Sequence, residues 1–183
     1  MRGILVVCTG NVCRSPMAEG FLRGALASRL GEDAPPVSSA GTHGWEGSSA
    51  TAEAVEAARE RGATIEGHRA RALTEEMVDA VDLVVCMARE HRDVVRAIRP
   101  DAADRTFTLK ELVRLLRDGG DEGRDASERL AAAATRRDAP APAYDEDVAD
   151  PLGQPLEAYR GIAWELDTMT GELVAGLWGV GRR

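Results

Sequence analysis

The chain has 183 residues, 44% of them hydrophobic and 30% charged, with a formal net charge of −8. That length and balance describe one folded domain able to bury a core, exclude whole-chain disorder, and argue against a nucleic-acid binder, which needs a basic face. No apolar run approaches the roughly 20 residues of a bilayer span, and Cys8, Cys13 and Cys86 form no paired disulfide framework.

In chain order, "GILVV" (3 to 7) reads as a buried strand, and "PMAEGFLRGALASRL" (16 to 30) as a helix with Met17, Phe21, Leu22, Leu26 and Leu30 at helical spacing. Pro16 suits the first turn of that helix, where a missing N–H costs nothing. "PPVSSAG" reads as a second strand and "TAEAVEAARERG" (51 to 62) as a helix closed by Gly62. "LTEEMVDAVDLVVCM" supplies a Thr74 cap, a short helix and a strand over 83 to 87. "REHRDVVRAIRP" is a helix stopped by Pro100, and "TLKELVRLL" (108 to 116) is another. Residues 118 to 147 break the pattern with Gly, Asp, Pro and Ala, and are expected to be a mobile loop insertion with one or two helical turns around "ASERLAAAAT". A long amphipathic helix follows over 155 to 178, with Leu156, Tyr159, Ile162, Leu166, Met169, Leu173 and Leu177 on one side. Strands alternating with helices imply a parallel sheet covered on both faces.

Between the first strand and the first helix lies "CTGNVCRS", in which Cys8 is followed after five residues by Arg14 and Ser15. The carboxyl end of a strand that opens a helix is where α/β folds bind ligands. A turn curled around an anion aims successive N–H groups inward, and the helix amino end adds its positive dipole. Gly10 and Asn11 are the residue types that accept the positive φ values such a nest needs. Arg14 supplies a planar fork for two phosphate oxygens. A thiolate at Cys8 would be stabilised by the same donors, and Ser15 could donate a hydrogen bond to it. The implied chemistry is attack of sulfur on phosphorus.

"VVCTGNVCRSPMAE" resembles the signature of the low-molecular-weight protein tyrosine phosphatases, and the likeness extends through "SSAGTHGWEG", "GHRARALTEEMVDAVDLVVCM", "TFTLKEL" and "DVADPLGQPLEAY". The resemblance implies a single phosphatase domain over 1–183, with a flavodoxin-like four-stranded parallel sheet, helices on both faces and a phosphate-binding loop after strand 1. It makes Cys8 the nucleophile, Arg14 the phosphate-binding arginine and Asp150, in "ADPLG", the general acid. Thr9, Gly10, Asn11, Val12, Cys13 and Ser15 complete the loop, and Ser39 and His68 match residues that hold the loop asparagine in shape. Cys13 matches a cysteine that forms a reversible disulfide with the nucleophile, making the site redox-sensitive. Trp45 and Leu152 occupy the two walls of the substrate cleft, though many members carry an aromatic residue where this chain has Leu152.

The expected reaction is hydrolysis of protein phosphotyrosine through a phosphocysteine, with no metal and no cofactor. The alternative is a protein-arginine phosphatase, a branch that shares "CTGN", "SAG", "LTEE" and "FTLKE" but carries threonine at the place of Val12. A thioredoxin-coupled arsenate reductase is less favoured, because beyond the loop only Cys86 remains and it sits in an apolar strand. His43 and His91 read as ordinary surface residues, and Asp145, Glu146 and Asp147 as a solvated acidic run. A cytoplasmic monomer acting on phosphorylated protein, without nucleic-acid or membrane partners, is the expectation.

Overall fold

The aliphatic run Ile4–Cys8 forms strand β1, buried at every residue, as a strand must be when both of its faces are covered. The computed structural model describes residues 1–119, 125–137 and 145–179. Beside β1 lie β2 (Val37–Gly41) and β3 (Leu83–Cys86), and β4 (Thr106–Thr108) closes the far edge, giving the order β2-β1-β3-β4 with every pairing parallel.

Successive side chains of a strand alternate between faces, and the core divides accordingly. Ile4, Val6 and Cys8 join Leu83, Val85 and Phe107 in the larger core. That core is covered by α1 (Arg14–Leu30), α2 (Ala52–Glu60), α5 (Leu109–Gly119), α6 (Ala126–Thr135) and α7 (Leu156–Trp178). Leu5, Val7, Val84 and Cys86 belong to a smaller core with Val78 of α3 (Glu75–Asp79) and Val95 of α4 (Arg89–Ile98). The expected flavodoxin-like architecture is therefore present. No helix among the described residues is long and apolar enough to cross a membrane.

Helices α2, α3 and α6 begin on side-chain caps: Thr51 accepts from Ala54 N–H, Thr74 from Met77 N–H and Asp125 from Ser127 and Glu128 N–H, each satisfying donors that have no partner inside the helix. Within the stretch expected as a mobile insertion, the helical turns expected around "ASERLAAAAT" are present as α6. Helix α5 runs on to Gly119, and α6 starts at an Asp125 cap and buries Leu130 and Ala133. Just beyond α6, the Arg137 guanidinium stacks 4.0 Å from the Phe107 ring and donates to Thr106 O at 2.8 Å. Residues 120–124 and 138–144 of that stretch lie outside the described residues.

The order β2-β1-β3-β4 has one functional consequence. From β1 the chain crosses to β2 on one side, and later returns to β3 on the other, which opens a crevice at the carboxyl ends of β1 and β3. Cys8 is the last residue of β1.

Candidate active site

Residues 9 to 13 link Cys8 to the first residue of α1, Arg14. Every carbonyl along this loop is taken by a donor from outside it. Thr42 N–H donates to Cys8 O, His43 N–H to Thr9 O, Trp45 N–H to Gly10 O, Thr51 N–H to Val12 O and Met17 N–H to Cys13 O, at 2.9 to 3.3 Å. The His68 Nε2 hydrogen goes to Asn11 O at 2.8 Å. With the carbonyls committed to outside donors, the Asn11 N–H faces the sulfur, as in loops whose N–H groups bind anions. Gly41 makes this possible, because a Cβ there would sit 2.4 Å from Thr9 O.

Asn11 is the only non-glycine residue with positive φ among the described residues, at 58°, a conformation that disfavours side chains by about 1–2 kcal/mol. Its side chain offsets this. Asn11 Nδ2 donates to Ser15 Oγ and Ser39 Oγ, both at 2.8 Å, and its Oδ1 accepts Arg71 N–H at 3.0 Å. Ser39 passes its own hydrogen to Glu19 at 2.6 Å. Ser39 and His68 thus both contact Asn11, as do Arg71 directly and Glu19 through Ser39. The expectation for Gly10 is corrected: Gly10 is not among the positive-φ residues, since one left-handed residue suffices to turn the loop. An added Cβ at Gly10 would lie 3.5 Å from the Trp45 ring.

The Cys8 sulfur lies 2.9 Å from Ser15 Oγ and 3.3 Å from Asn11 N–H. Ser15 Oγ also accepts from Asn11, so the Cys8 sulfur and the asparagine share one hydroxyl. Arg14 is only 4% exposed. It donates to Val148 O at 3.1 Å, to Thr9 Oγ1 at 3.2 Å and to Asp150 Oδ2 at 2.6 Å. Asp150 also accepts Leu152 N–H at 3.1 Å, so one carboxylate both shapes its turn and pairs with Arg14. Trp45 and Leu152 are exposed at 49% and 41% and form the rim. The cleft, about 60 Å³, is lined by Cys8, Thr9, Gly10, Val12, Cys13, Arg14, Trp45, Asp150 and Leu152. Asn11, Ser15, Ser39 and His68 stand behind the loop rather than in the cleft wall.

Two readings of the sequence are overturned here. His91 is not a surface residue: it is 1% exposed, with Nε2 2.9 Å from Thr9 Oγ1. Burial, helped by the nearby Arg14 charge, pushes its pKa down to about 4. The His91 ring and the Arg14 guanidinium thus both contact the Thr9 hydroxyl. The buried Nδ1 has no partner. The polar stretch "AREHRD" concealed this, because helical spacing puts His91 on the same face as apolar Val95 while its neighbours are charged. The acidic run is also not merely solvated. Asp147 accepts Arg89 N–H at the start of α4 at 2.8 Å, Asp145 pairs with Arg89, and Glu146 pairs with Arg114 at 2.9 Å. These contacts anchor the segment that carries Asp150.

Cys13 lies 3.6 Å from Tyr159 Oη and 3.7 Å from Thr51 Oγ1, and burial pushes its thiol pKa up. Burial raises that of Cys86 as well. All three cysteines are free.

A parallel α/β sheet with a cysteine at the base of an anion-cradling loop defines a class of cysteine-containing phosphatase folds. The family model for low molecular weight phosphotyrosine protein phosphatase matches residues 3–121, and the chain belongs to that family. It is 34% identical over 174 residues to a protein-arginine-phosphatase of Geobacillus stearothermophilus, covering 95% of each chain. It is 44% identical over 104 residues to the low molecular weight protein-tyrosine-phosphatase Etp of Escherichia coli, covering 57% of this chain and 66% of that one. The solved low molecular weight protein tyrosine phosphatase of T. tengcongensis superposes with a TM-score of 0.75 at 35% identity, over 97% of this chain and 100% of that one.

Proposed function

We propose that this protein is a phosphoprotein phosphatase that hydrolyses phosphotyrosine through a phosphocysteine formed on Cys8. The observation that carries the reading is the convergence on one sulfur of the Ser15 hydroxyl, the Asn11 N–H and the amino end of α1, with Arg14 and Asp150 across the cleft.

The order of events follows from the resting geometry. Arg14 is paired with Asp150, so an incoming phosphate must take the place of the carboxylate on the guanidinium. Once displaced, Asp150 is free to face the leaving-group oxygen of the substrate. It then holds the proton that the leaving phenolate oxygen needs. The Cys8 sulfur attacks phosphorus in line, the P–O bond to the phenol breaks, and Asp150 gives up its proton. In the second half, Asp150 takes a proton from water as the oxygen attacks phosphorus, and the sulfur departs with the Ser15 hydrogen bond stabilising the returning thiolate. Trp45 offers a face for a substrate ring. We take the whole of 1–183 as one such domain acting as a monomer in the cytoplasm on protein substrates.

Phosphoarginine is the second reading, favoured by the full-length match to the protein-arginine-phosphatase and by the aliphatic Leu152 wall. Val12, buried in the cleft floor, stands where that branch carries threonine. The deciding measurement is kcat/KM for a phosphotyrosine and a phosphoarginine peptide, with wild type and Val12→Thr. Preference for phosphotyrosine, moving toward phosphoarginine in Val12→Thr, is the expected result. Preference for phosphoarginine in the wild type overturns the substrate assignment while leaving the sulfur chemistry intact.

A further inference from the structure

Behind the Cys8 loop, on the side away from the cleft, lies a second cavity of about 410 Å³, a size in the range of small-ligand sites. Its walls carry Arg23, Arg69, Arg71, His68 and a single carboxylate, Glu19. Arg23 is ion-paired with Glu19, which leaves the Arg69 and Arg71 guanidiniums as the uncompensated charge of this hollow in a protein whose net charge is −8, the setting in which nearby charges outweigh the average field.

Arg71 gives this hollow its chemistry. It is half-buried, spends its Nε on Ser39 O at 2.9 Å, and its two terminal nitrogens have no protein partner among the described residues. Arg69 bonds only to neutral oxygens, those of Ser49 and His68, and neither arginine has an ion pair among the described residues. Arg69 is exposed, but the half-buried Arg71 donors call for an acceptor, and a forked guanidinium suits an oxyanion above other acceptors.

The same walls also support the loop. His68 holds Asn11 O, Arg71 N–H holds Asn11 Oδ1, and Glu19 takes the hydrogen of Ser39, whose oxygen holds Asn11 Nδ2. Apart from Ser15, each polar side chain or backbone group that fixes Asn11 thus comes from the cavity wall or is one bond from it. We propose that this cavity is a regulatory site for a small, multiply charged phosphate anion, coupled through Asn11 to the Cys8 loop. An anion bound by the Arg71 guanidinium fixes the residue whose N–H holds Asn11 Oδ1. The loop is held more firmly in its left-handed turn, and turnover rises.

Inorganic pyrophosphate is the probe. In amide ¹H–¹⁵N spectra of the full chain, pyrophosphate is expected to shift residues 64–71 with a midpoint separate from that of residues 9–15. Arg23→Ala combined with Arg69→Ala removes the first transition and leaves the second. At saturating substrate, which excludes pyrophosphate from the Cys8 cleft, kcat rises about fivefold in wild type, the low end of ordinary coupling between sites. It does not rise in the double variant. Shifts confined to residues 9–15, or a 64–71 transition that survives in the double variant, overturn the site; a genuine 64–71 transition with kcat unchanged overturns the coupling. The kinetic arm rests on the phosphatase reading and the spectra do not, so failure of that reading is told apart from failure of the site.

Discussion

The floor and the rim of the cleft are built on opposite plans. The floor, Cys8 to Ser15, is buried apart from Thr9 and Gly10, and each of its carbonyls up to Cys13 is committed to an outside donor. The rim, made by Trp45, Asp150 and Leu152, is about half exposed and is joined to the floor by the Arg14–Asp150 pair. A phosphate group is common to every substrate of such an enzyme, and a rigid, pre-paid cradle serves it without reorganisation. What carries the phosphate differs between substrates, and an exposed rim is free to vary and to move. The comparison predicts that changes to Cys8 or to the contacts that hold Asn11 cost chemistry or stability, whereas changes in the rim redistribute substrates and proton transfer.

The hardest test of that contrast is Cys8→Ser against Asp150→Ala. Cys8→Ser is expected to abolish turnover, a fall of more than about 10⁴-fold in kcat, because the hydroxyl it leaves is not ionised by the same donors. Asp150→Ala should lower kcat by about 10²–10³-fold, the ordinary worth of a general acid, while freeing Arg14 and so leaving phosphate affinity equal or better. Full activity in Cys8→Ser ends the mechanism; a loss of phosphate affinity in Asp150→Ala contradicts the displacement of the carboxylate by substrate.

Asn11→Ala attacks the floor without touching the sulfur. It strands Ser39 and the Arg71 N–H and puts an ordinary side chain into a left-handed turn, a combined cost of about 3 kcal/mol in stability. Urea unfolding measures it. A loss under about 1 kcal/mol would mean that the loop is held by its backbone bonds alone.

How far these regions could be read from the sequence follows the same division. The floor was legible because its residue types serve one purpose at fixed spacing, and because an apolar strand and an amphipathic helix bracket it. Ser39 and His68 were legible only through likeness to other chains, for nothing local links residues so far from Asn11. The fourth strand has three residues, Thr106–Thr108, with one apolar side chain, too short for any period to register, although all three are buried. Helix α6 was legible as one or two turns around "ASERLAAAAT" but not in its packing, because its anchors, Leu130, Ala133 and the nearby Arg137 stack on Phe107, are tertiary contacts with no local signature. His91 escaped for the related reason that its partner, Thr9, lies 82 positions away.

His91 gives the next effect in size. Its pKa falls from 6.5 to about 4 on folding, so between those values the unfolded chain binds the extra proton and the folded chain does not. Stability therefore rises with pH across that window, and its share of stability is lost as pH falls from about 6.5 toward 4. The loss amounts to no more than about 3 kcal/mol. His91→Gln, which cannot titrate, should flatten that part of the Tm-against-pH curve. An unchanged slope in the variant would show that other groups govern acid unfolding.

The smallest basal effect belongs to Cys13, and it tests whether the floor guards its own sulfur. A peroxide that converts Cys8 to a sulfenic acid leaves an electrophilic sulfur in the same tight loop as the Cys13 thiol. Attack by the Cys13 sulfur forms the disulfide and releases water, and the disulfide is returned to two thiols by added reductant. Two physical effects oppose one another here. Burial raises the Cys13 pKa and keeps its thiolate scarce near neutrality, while proximity within one loop gives that scarce thiolate a high effective concentration. We expect proximity to prevail. Cys13→Ser should keep kcat/KM within about threefold of wild type, the residue being in the cleft wall but outside the proposed chemistry. After a peroxide pulse, however, thiol reductant should restore wild type and not the variant, and the wild-type advantage should grow with pH as Cys13 ionises. Equal recovery of the two proteins, or oxidised wild type whose mass lacks the loss of two hydrogens, would mean that burial prevails and that Cys13 is there to pack against Tyr159 and Thr51.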